Sequence, residues 1–140
     1  MHLLRDSLFY FYVRRTFALP KSNKLKSITS ITRLFESGSS EFVYPIKMVY
    51  LKNNVSDAFE TFKVGVSVPK KLYKKAVDRN SIKRSMREAA RLNQHDLYQF
   101  CLTEQCSFHF MLIYVGKTIL PSQQIDKAVR SLLEKLIKDV

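Results

Sequence analysis

Between Lys74 and Arg91 the chain reads Lys-Lys-Ala-Val-Asp-Arg-Asn-Ser-Ile-Lys-Arg-Ser-Met-Arg-Glu-Ala-Ala-Arg, and this stretch constrains the fold more than any other. From Asp78 it holds neither Gly nor Pro, and Asp78 is a natural N-cap for the strong helix formers that follow. Ile82, Met86, Ala89 and Ala90 fall at i, i+4, i+7 and i+8, so a helix here must turn one stripe toward a core. Arg79, Lys83 and Arg87 recur every fourth residue beside that stripe, and Asn80, Arg84 and Arg91 continue around the same side. Charged helix faces are usually just solvated, and are often laced with i,i+4 acid–base pairs. Here Glu88 is the only acid between Arg79 and Arg91, so the cations repel one another until an outside polyanion supplies counter-charge.

Composition points the same way. A formal charge of +12 and a pI near 9.9 put nucleic acid and anionic membrane surfaces first among partners. No apolar run approaches the roughly 20 residues of a membrane span, which makes membrane the weaker of the two, and no membrane partner is expected. At 140 residues and 46% hydrophobic content, one domain with a real core is expected. Cys101 and Cys106 are too few to staple a secreted scaffold, which suggests a reducing, cytoplasmic compartment.

Residues 1–19 read as an N-terminal extension: Leu8 to Val13 is apolar and aromatic, but Arg14-Arg15 follow it rather than precede it, unlike a signal peptide. From Pro20 to Asn23 the chain enters a helix carrying Leu25, Ile28, Ile31, Leu34 and Phe35, ended by Gly38. Ser37 to Glu41 reads as a polar link. Phe42 to Leu51 reads as one extended segment, with Ile46, Met48 and Tyr50 on one face and Lys47, Val49 and Leu51 on the other. Lys52 to Thr61 has the composition of a hairpin loop, and Phe62, Val64, Val66 and Val68 then alternate with polar or small residues until Pro69. After the basic helix, Asn93 to Cys106 gives a mixed signal, with the helix continuing through Leu97, Phe100 and Cys101. Ser107 to Val115 is a strand apolar on both faces, belonging in the sheet centre or under a helix. Gly116 to Leu120 is a loop, and Ser122 caps a last helix striped by Ile125, Ala128, Val129, Leu132, Leu133, Leu136 and Ile137. The order helix, strands, helix, strand, helix is an α+β, single-domain α/β sandwich.

The sequence offers little for catalysis by side chains. The twelve acids are scattered, whereas a metal-dependent nuclease gathers carboxylates around its ions. His95, Cys101, Cys106 and His109 match no usual zinc spacing, and buried cysteines with a strand histidine account for them better. No Gly-rich phosphate loop, His-Glu-x-x-His helix or nucleophile elbow occurs, so no metal site, catalytic residue or small-molecule substrate is assigned. A second candidate surface is aromatic. Phe35 on the first helix and Phe42, Tyr44 and Tyr50 on the first strand could stack unpaired bases, although strand aromatics are most often core.

Ala76-x-x-Arg79-Asn80-Ser81-Ile82-Lys83-Arg84-x-Met86-Arg87, preceded by Val64-Gly65-Val66-Ser67-Val68-Pro69-Lys70-Lys71, resembles the signature of the protein subunit of bacterial ribonuclease P. The likeness runs from about Lys24 to the C-terminus, which makes residues 20–140 the family's domain. Ser81 stands where that signature has a basic residue, so the corresponding contact is either weaker or supplied by Lys74 or Lys75. The resemblance implies a ribosomal-protein-like fold with a left-handed βαβ crossover around the basic helix, against the prevailing handedness. It also implies a non-catalytic subunit of an endoribonuclease, whose RNA removes the 5′ leader of precursor tRNA using magnesium held in the ribonucleoprotein. Its partners would be that catalytic RNA and precursor tRNA, with no cofactor bound by the protein alone. Arg79, Asn80, Lys83, Arg84, Arg87 and Arg91 would contact RNA phosphates, with Lys70, Lys71, Lys74 and Lys75 extending the patch. Phe35 and Tyr44 would meet the leader. A structural RNA-binding protein resembling a ribosomal component would use the same patch without processing. A helix-turn-helix DNA reader would need a short helix where Pro69 and a strand stand.

Overall fold

Alternation at Phe62, Val64 and Val66 gives one of four strands, and the stripes at Ile82–Ala90 and Ile125–Leu136 give the two long helices that pack on them. A computed structural model describes Leu25 and residues 28–54 and 62–138. In chain order these form α1 (Ile28–Ser37), β1 (Ser39–Val43), β2 (Ile46–Asn54), β3 (Phe62–Ser67), α2 (Ala76–Leu92), α3 (His95–Glu104), β4 (Cys106–Tyr114) and α4 (Ser122–Lys138). The sheet order is β1-β2-β4-β3, with β1/β2 and β2/β4 antiparallel and β3/β4 parallel. The link from β3 through α2 and α3 back to the parallel strand β4 is the crossover that the resemblance implies.

Because side chains alternate across a sheet, the register sorts the residues into two faces. Met48, Tyr114, Leu112, Phe110, Phe108, Phe62 and Val64 form one face, which packs against Ile82 and Met86 of α2, Leu97 and Cys101 of α3 and Leu132 and Leu136 of α4. The opposite face is partly covered by α1, whose Leu34 meets Val49 and Met111 together with Leu25. β4, apolar on both faces, lies between β2 and β3 as its composition requires.

Several expectations need correction. Leu25 is not helical; its N–H donates to the Val64 carbonyl at 2.9 Å, anchoring the chain on the sheet before α1 begins. The segment Phe42 to Leu51 is two strands divided by a turn at Tyr44-Pro45, and the supposed polar link from Ser39 is the start of β1. β2 and β3 do not form a hairpin, because β4 is inserted between them. The N-cap of α2 is Lys75, and Asp78 lies in the first turn, where its charge suits the helix dipole. α3 is a separate helix, set off by Asn93-Gln94 and joined to β4 by the left-handed residue Gln105. The extension over residues 1–19 lies outside the described residues.

Gly38 closes α1, its N–H donating to the Leu34 carbonyl at 2.8 Å. A Cβ there would press on the carbonyl oxygens of Leu34 and Tyr50, the latter at 2.8 Å, and neither can swing aside. At Gly65 the obstacle is the flexible thioether of Met111, at 2.8 Å. Gly38→Ala is therefore expected to cost about 1–3 kcal/mol of stability in urea unfolding. Gly65→Ala should cost less than about 1 kcal/mol, since the methionine can repack.

Candidate nucleic-acid interface

The stripe Ile82, Met86, Ala89 and Ala90 is buried, which fixes how α2 is rotated. Asn80, Arg84 and Arg87 consequently stand exposed, and Lys83 lies half-buried at the rim. None of these four side chains has a carboxylate partner among the described residues. Ser81, where the family signature has a basic residue, is also exposed.

Two of the expected contacts sit differently. Arg91 is only 8% exposed and is held by Glu88, with Nε donating to Oε2 at 2.9 Å and Nη2 donating to Oε1. Hydrogen bonding to Arg91 pushes the Glu88 carboxyl below its ordinary range and the Arg91 guanidinium above its own. The one acid between Arg79 and Arg91 thus neutralises the last cation and leaves Lys83, Arg84 and Arg87 without a carboxylate among the described residues. Arg79 is half-buried, and its Nη1 donates to the Tyr73 carbonyl at 2.8 Å and the Lys74 carbonyl at 2.9 Å. It braces the loop that enters α2.

That loop carries Lys70, Lys71, Lys74 and Lys75, all exposed. Between them Tyr73 turns inward, donates its hydroxyl to the Gly116 carbonyl at 2.6 Å and lays its ring 5.9 Å from that of Tyr114. The Tyr114 hydroxyl donates to the Thr118 carbonyl at 2.6 Å and accepts the Leu120 N–H at 3.0 Å. The Val115 N–H donates to the Pro45 carbonyl at 2.8 Å. Three connections, 44–45, 68–75 and 115–121, are thereby tied together at one end of the sheet. Burial, then the nearby phenols of Tyr114 and Tyr44, raises the Tyr73 hydroxyl above its ordinary value of 10.0. Burial likewise raises that of Tyr114.

Tyr44 stands in the turn at this same end, 57% exposed, with its ring 6.5 Å edge-on from that of Phe42, itself 53% exposed. Through the strand pairings Phe42 shares a row with Lys47, Ile113 and Ser67, on the face that α1 covers only in part. Phe35 is exposed on α1 and has no ring partner among the described residues. Tyr50 lies on the opposite face, packed against the main core, and drops out of the aromatic set. Sequence reasoning missed Lys47 and Lys117, both exposed, and ranked Phe42 behind Tyr44. Only the cross-strand register and the tie between loops reveal these residues, and neither leaves a periodic signal.

The residues weighed for zinc serve elsewhere: Cys101 and Cys106 are buried, His95 opens α3 and His109 lies on β4. Burial, with Cys106 adjacent, drives the Cys101 thiol far above its ordinary value, so it is no nucleophile. Among the described residues no three His, Cys, Asp or Glu side chains gather to hold a metal ion, and no helix is long and apolar enough to cross a membrane.

A helix that packs along one edge and displays unbalanced cations along the other, beside a lysine loop and an exposed aromatic pair, defines an α+β protein built to bind a polyanion. The sequence profile described as Ribonuclease P matches residues 19–137. The chain is 31% identical over 125 residues to the ribonuclease P protein component of Porphyromonas gingivalis, covering 89% of this chain and 90% of that one. It is 36% identical over 86 residues to the component of Chlorobaculum tepidum, covering 60% and 56%. Among solved structures, the RNase P protein of Staphylococcus aureus superposes with a TM-score of 0.63 at 22% identity, over 83% of this chain and 96% of that one. The Thermotoga maritima protein gives 0.63 at 20% identity, over 80% and 96%. This chain belongs to the ribonuclease P protein family, and the reading as a ribosomal component is not favoured.

If Arg79 braces the loop, removing it orphans two carbonyls. Arg79→Ala is expected to lower unfolding stability by about 1–3 kcal/mol, while Arg87→Ala, at an exposed position with no carboxylate partner among the described residues, should stay within about 0.5 kcal/mol. Thermal unfolding of the two variants side by side checks this.

Proposed function

We propose that this chain is the RNA-binding subunit of a ribonuclease P holoenzyme, holding the catalytic RNA on α2 and the 5′ leader of precursor tRNA along the Phe42–Tyr44 row. One observation carries the reading: Lys83, Arg84 and Arg87 project from a helix whose rotation is fixed by burial, and no carboxylate among the described residues balances them. A phosphate backbone is the natural counter-charge, and its binding gains from release of condensed counterions. Asn80 adds an amide that can bond phosphate or ribose. Lys70, Lys71, Lys74, Lys75 and Lys117 continue the basic surface around the braced end of the sheet toward Tyr44.

Leader recognition on this reading is stacking without base identity. Phe42 and Tyr44 offer faces to unpaired bases, Lys47 in the same row meets their phosphates, and Phe35 adds an aromatic on the covering helix. The protein would thus grip the substrate outside the bond that is cut. Hydrolysis is assigned to the RNA, so on this reading the side chains of this protein bind and position rather than act as nucleophile, general base or metal ligand. Magnesium ions held by the RNA would supply the charge stabilisation that hydrolysis needs. Bridging two polyanions with protein cations reduces the divalent counter-charge the complex needs, so the chain should matter most at low magnesium. The work would take place in the cytoplasm, where precursor tRNA is made.

Reconstitution with the co-purifying RNA tests this through leader removal at low magnesium. Lys83→Ala and Arg87→Ala should each flatten the dependence of log K on log[salt] by about 0.7–0.9. Unchanged slopes in both would take α2 out of the interface. Phe42→Ala and Tyr44→Ala should each weaken binding of leader-bearing precursor by about 1–3 kcal/mol while leaving mature tRNA binding unchanged. Equal losses on both RNAs would argue against a leader site.

A further inference from the structure

Where α2 and α4 part on their solvent side they leave a groove of about 620 Å³. Arg84, Ser85, Glu88, Ala89 and Leu92 line it from α2, at spacings i, i+1, i+4, i+5 and i+8. Ser122, Gln123, Asp126, Lys127 and Arg130 line it from α4 at the same spacings, so two matched helix faces confront each other.

The charges in this groove do not cancel at random. Glu88 is already engaged by Arg91. Asp126 is engaged by Arg130 at 2.7 Å and by the Asn93 side-chain amide at 2.8 Å. The Asn93 amide also donates to the Ala89 carbonyl at 2.8 Å, which ties the end of α2 to α4 and holds this arrangement in place. Both acids are therefore spent, while Arg84 and Lys127, on opposite walls, have no carboxylate partner among the described residues. Half-exposed Leu92 supplies apolar surface to the groove, which buried Ala89 also lines. Ser85, Ser122 and Gln123 bring hydroxyl and amide groups capable of meeting polar edges.

We propose that this groove seats one unpaired nucleotide of the RNA partner, its base against Ala89 and Leu92 and its phosphates between Arg84 and Lys127. A site with two free cations, quenched acids and an apolar patch suits an anionic group joined to a flat, weakly polar ring, which is a nucleotide. An acidic peptide would bring charge without the flat ring. Arg84 belongs both to the exposed side of α2 and to the groove, so a strand on the helix reaches this seat without a gap. The inference rests on the RNA-binding reading and extends the footprint onto α4, which lies outside the basic motif.

The test uses the full chain, titrated with single-stranded hexauridylate and with the co-purifying RNA. Lys127→Ala removes one cation, Gln123→Trp plugs the groove from an exposed position, and Arg87→Ala serves as the control on the exposed ridge of α2. Both groove variants are expected to weaken binding of each RNA about tenfold, with thermal unfolding unchanged. Loss of affinity in Arg87→Ala with wild-type affinity in both groove variants would overturn the groove site and leave the RNA-binding reading standing. Wild-type affinity in all three would overturn both. Altered self-association of Gln123→Trp in sedimentation, with RNA affinity intact, would assign the groove to a second copy of the chain and overturn the proposal.

Discussion

α2 lies against the sheet through Ile82, Met86, Ala89 and Ala90, and every functional statement about this protein depends on that contact. Burying Ile82 and Met86 contributes about 1.5–3 kcal/mol each, whereas like charges one helical turn apart cost only about 0.2–0.5 kcal/mol per pair. Packing therefore outweighs repulsion, and the helix can keep cations that its own sequence does not balance. Because the buried stripe fixes the rotation, those cations are presented in one orientation before any RNA arrives. A polyanion then binds without first paying to order the helix.

The approach to α2 is secured by hydrogen bonds as well as by the burial of Val68 and Tyr73 in the core. Arg79 holds the carbonyls of Tyr73 and Lys74, Tyr73 reaches Gly116, and Tyr114 gathers Thr118 and Leu120. These bonds pull three loops to one end of the sheet and place the lysine-rich segment near the Tyr44 turn. The lysine-rich loop and the aromatic pair, 26 residues apart in sequence from Tyr44 to Lys70, become neighbours through this bracing. Arg79 thus braces the loop before α2 from beneath, a role its position in the basic motif conceals.

How legible all this was varies by element. The α2 stripe, the alternation of β3 and the stripe of α4 could be read directly, because each buries one regular face and the period survives in the residues. Strand order could not: only pairing shows β4 entering between β2 and β3, and the Tyr44-Pro45 turn hides inside a run that looks continuously extended. Within the candidate site, spacing alone sets Lys83, Arg84 and Arg87 beside the buried stripe of α2. Arg79 and Arg91 were not separable from them, since whether a cation meets a backbone carbonyl, Glu88 or solvent depends on where neighbouring loops and side chains settle. Phe42, Lys47 and Lys117 depend on register and loop ties, which leave no local pattern.

The central claim on this reading is that RNA meets the basic surface of α2 and of the loop before it, rather than basic residues generally. Lysine-selective chemical footprinting of the protein, free and bound to its co-purifying RNA, addresses it most directly. Lys70, Lys71, Lys74, Lys75 and Lys83 should become protected, while Lys52 on β2 and Lys135 and Lys138 at the far end of α4 keep their reactivity. Protection centred on Lys52, Lys135 and Lys138, with Lys83 as reactive as in the free protein, would contradict the account.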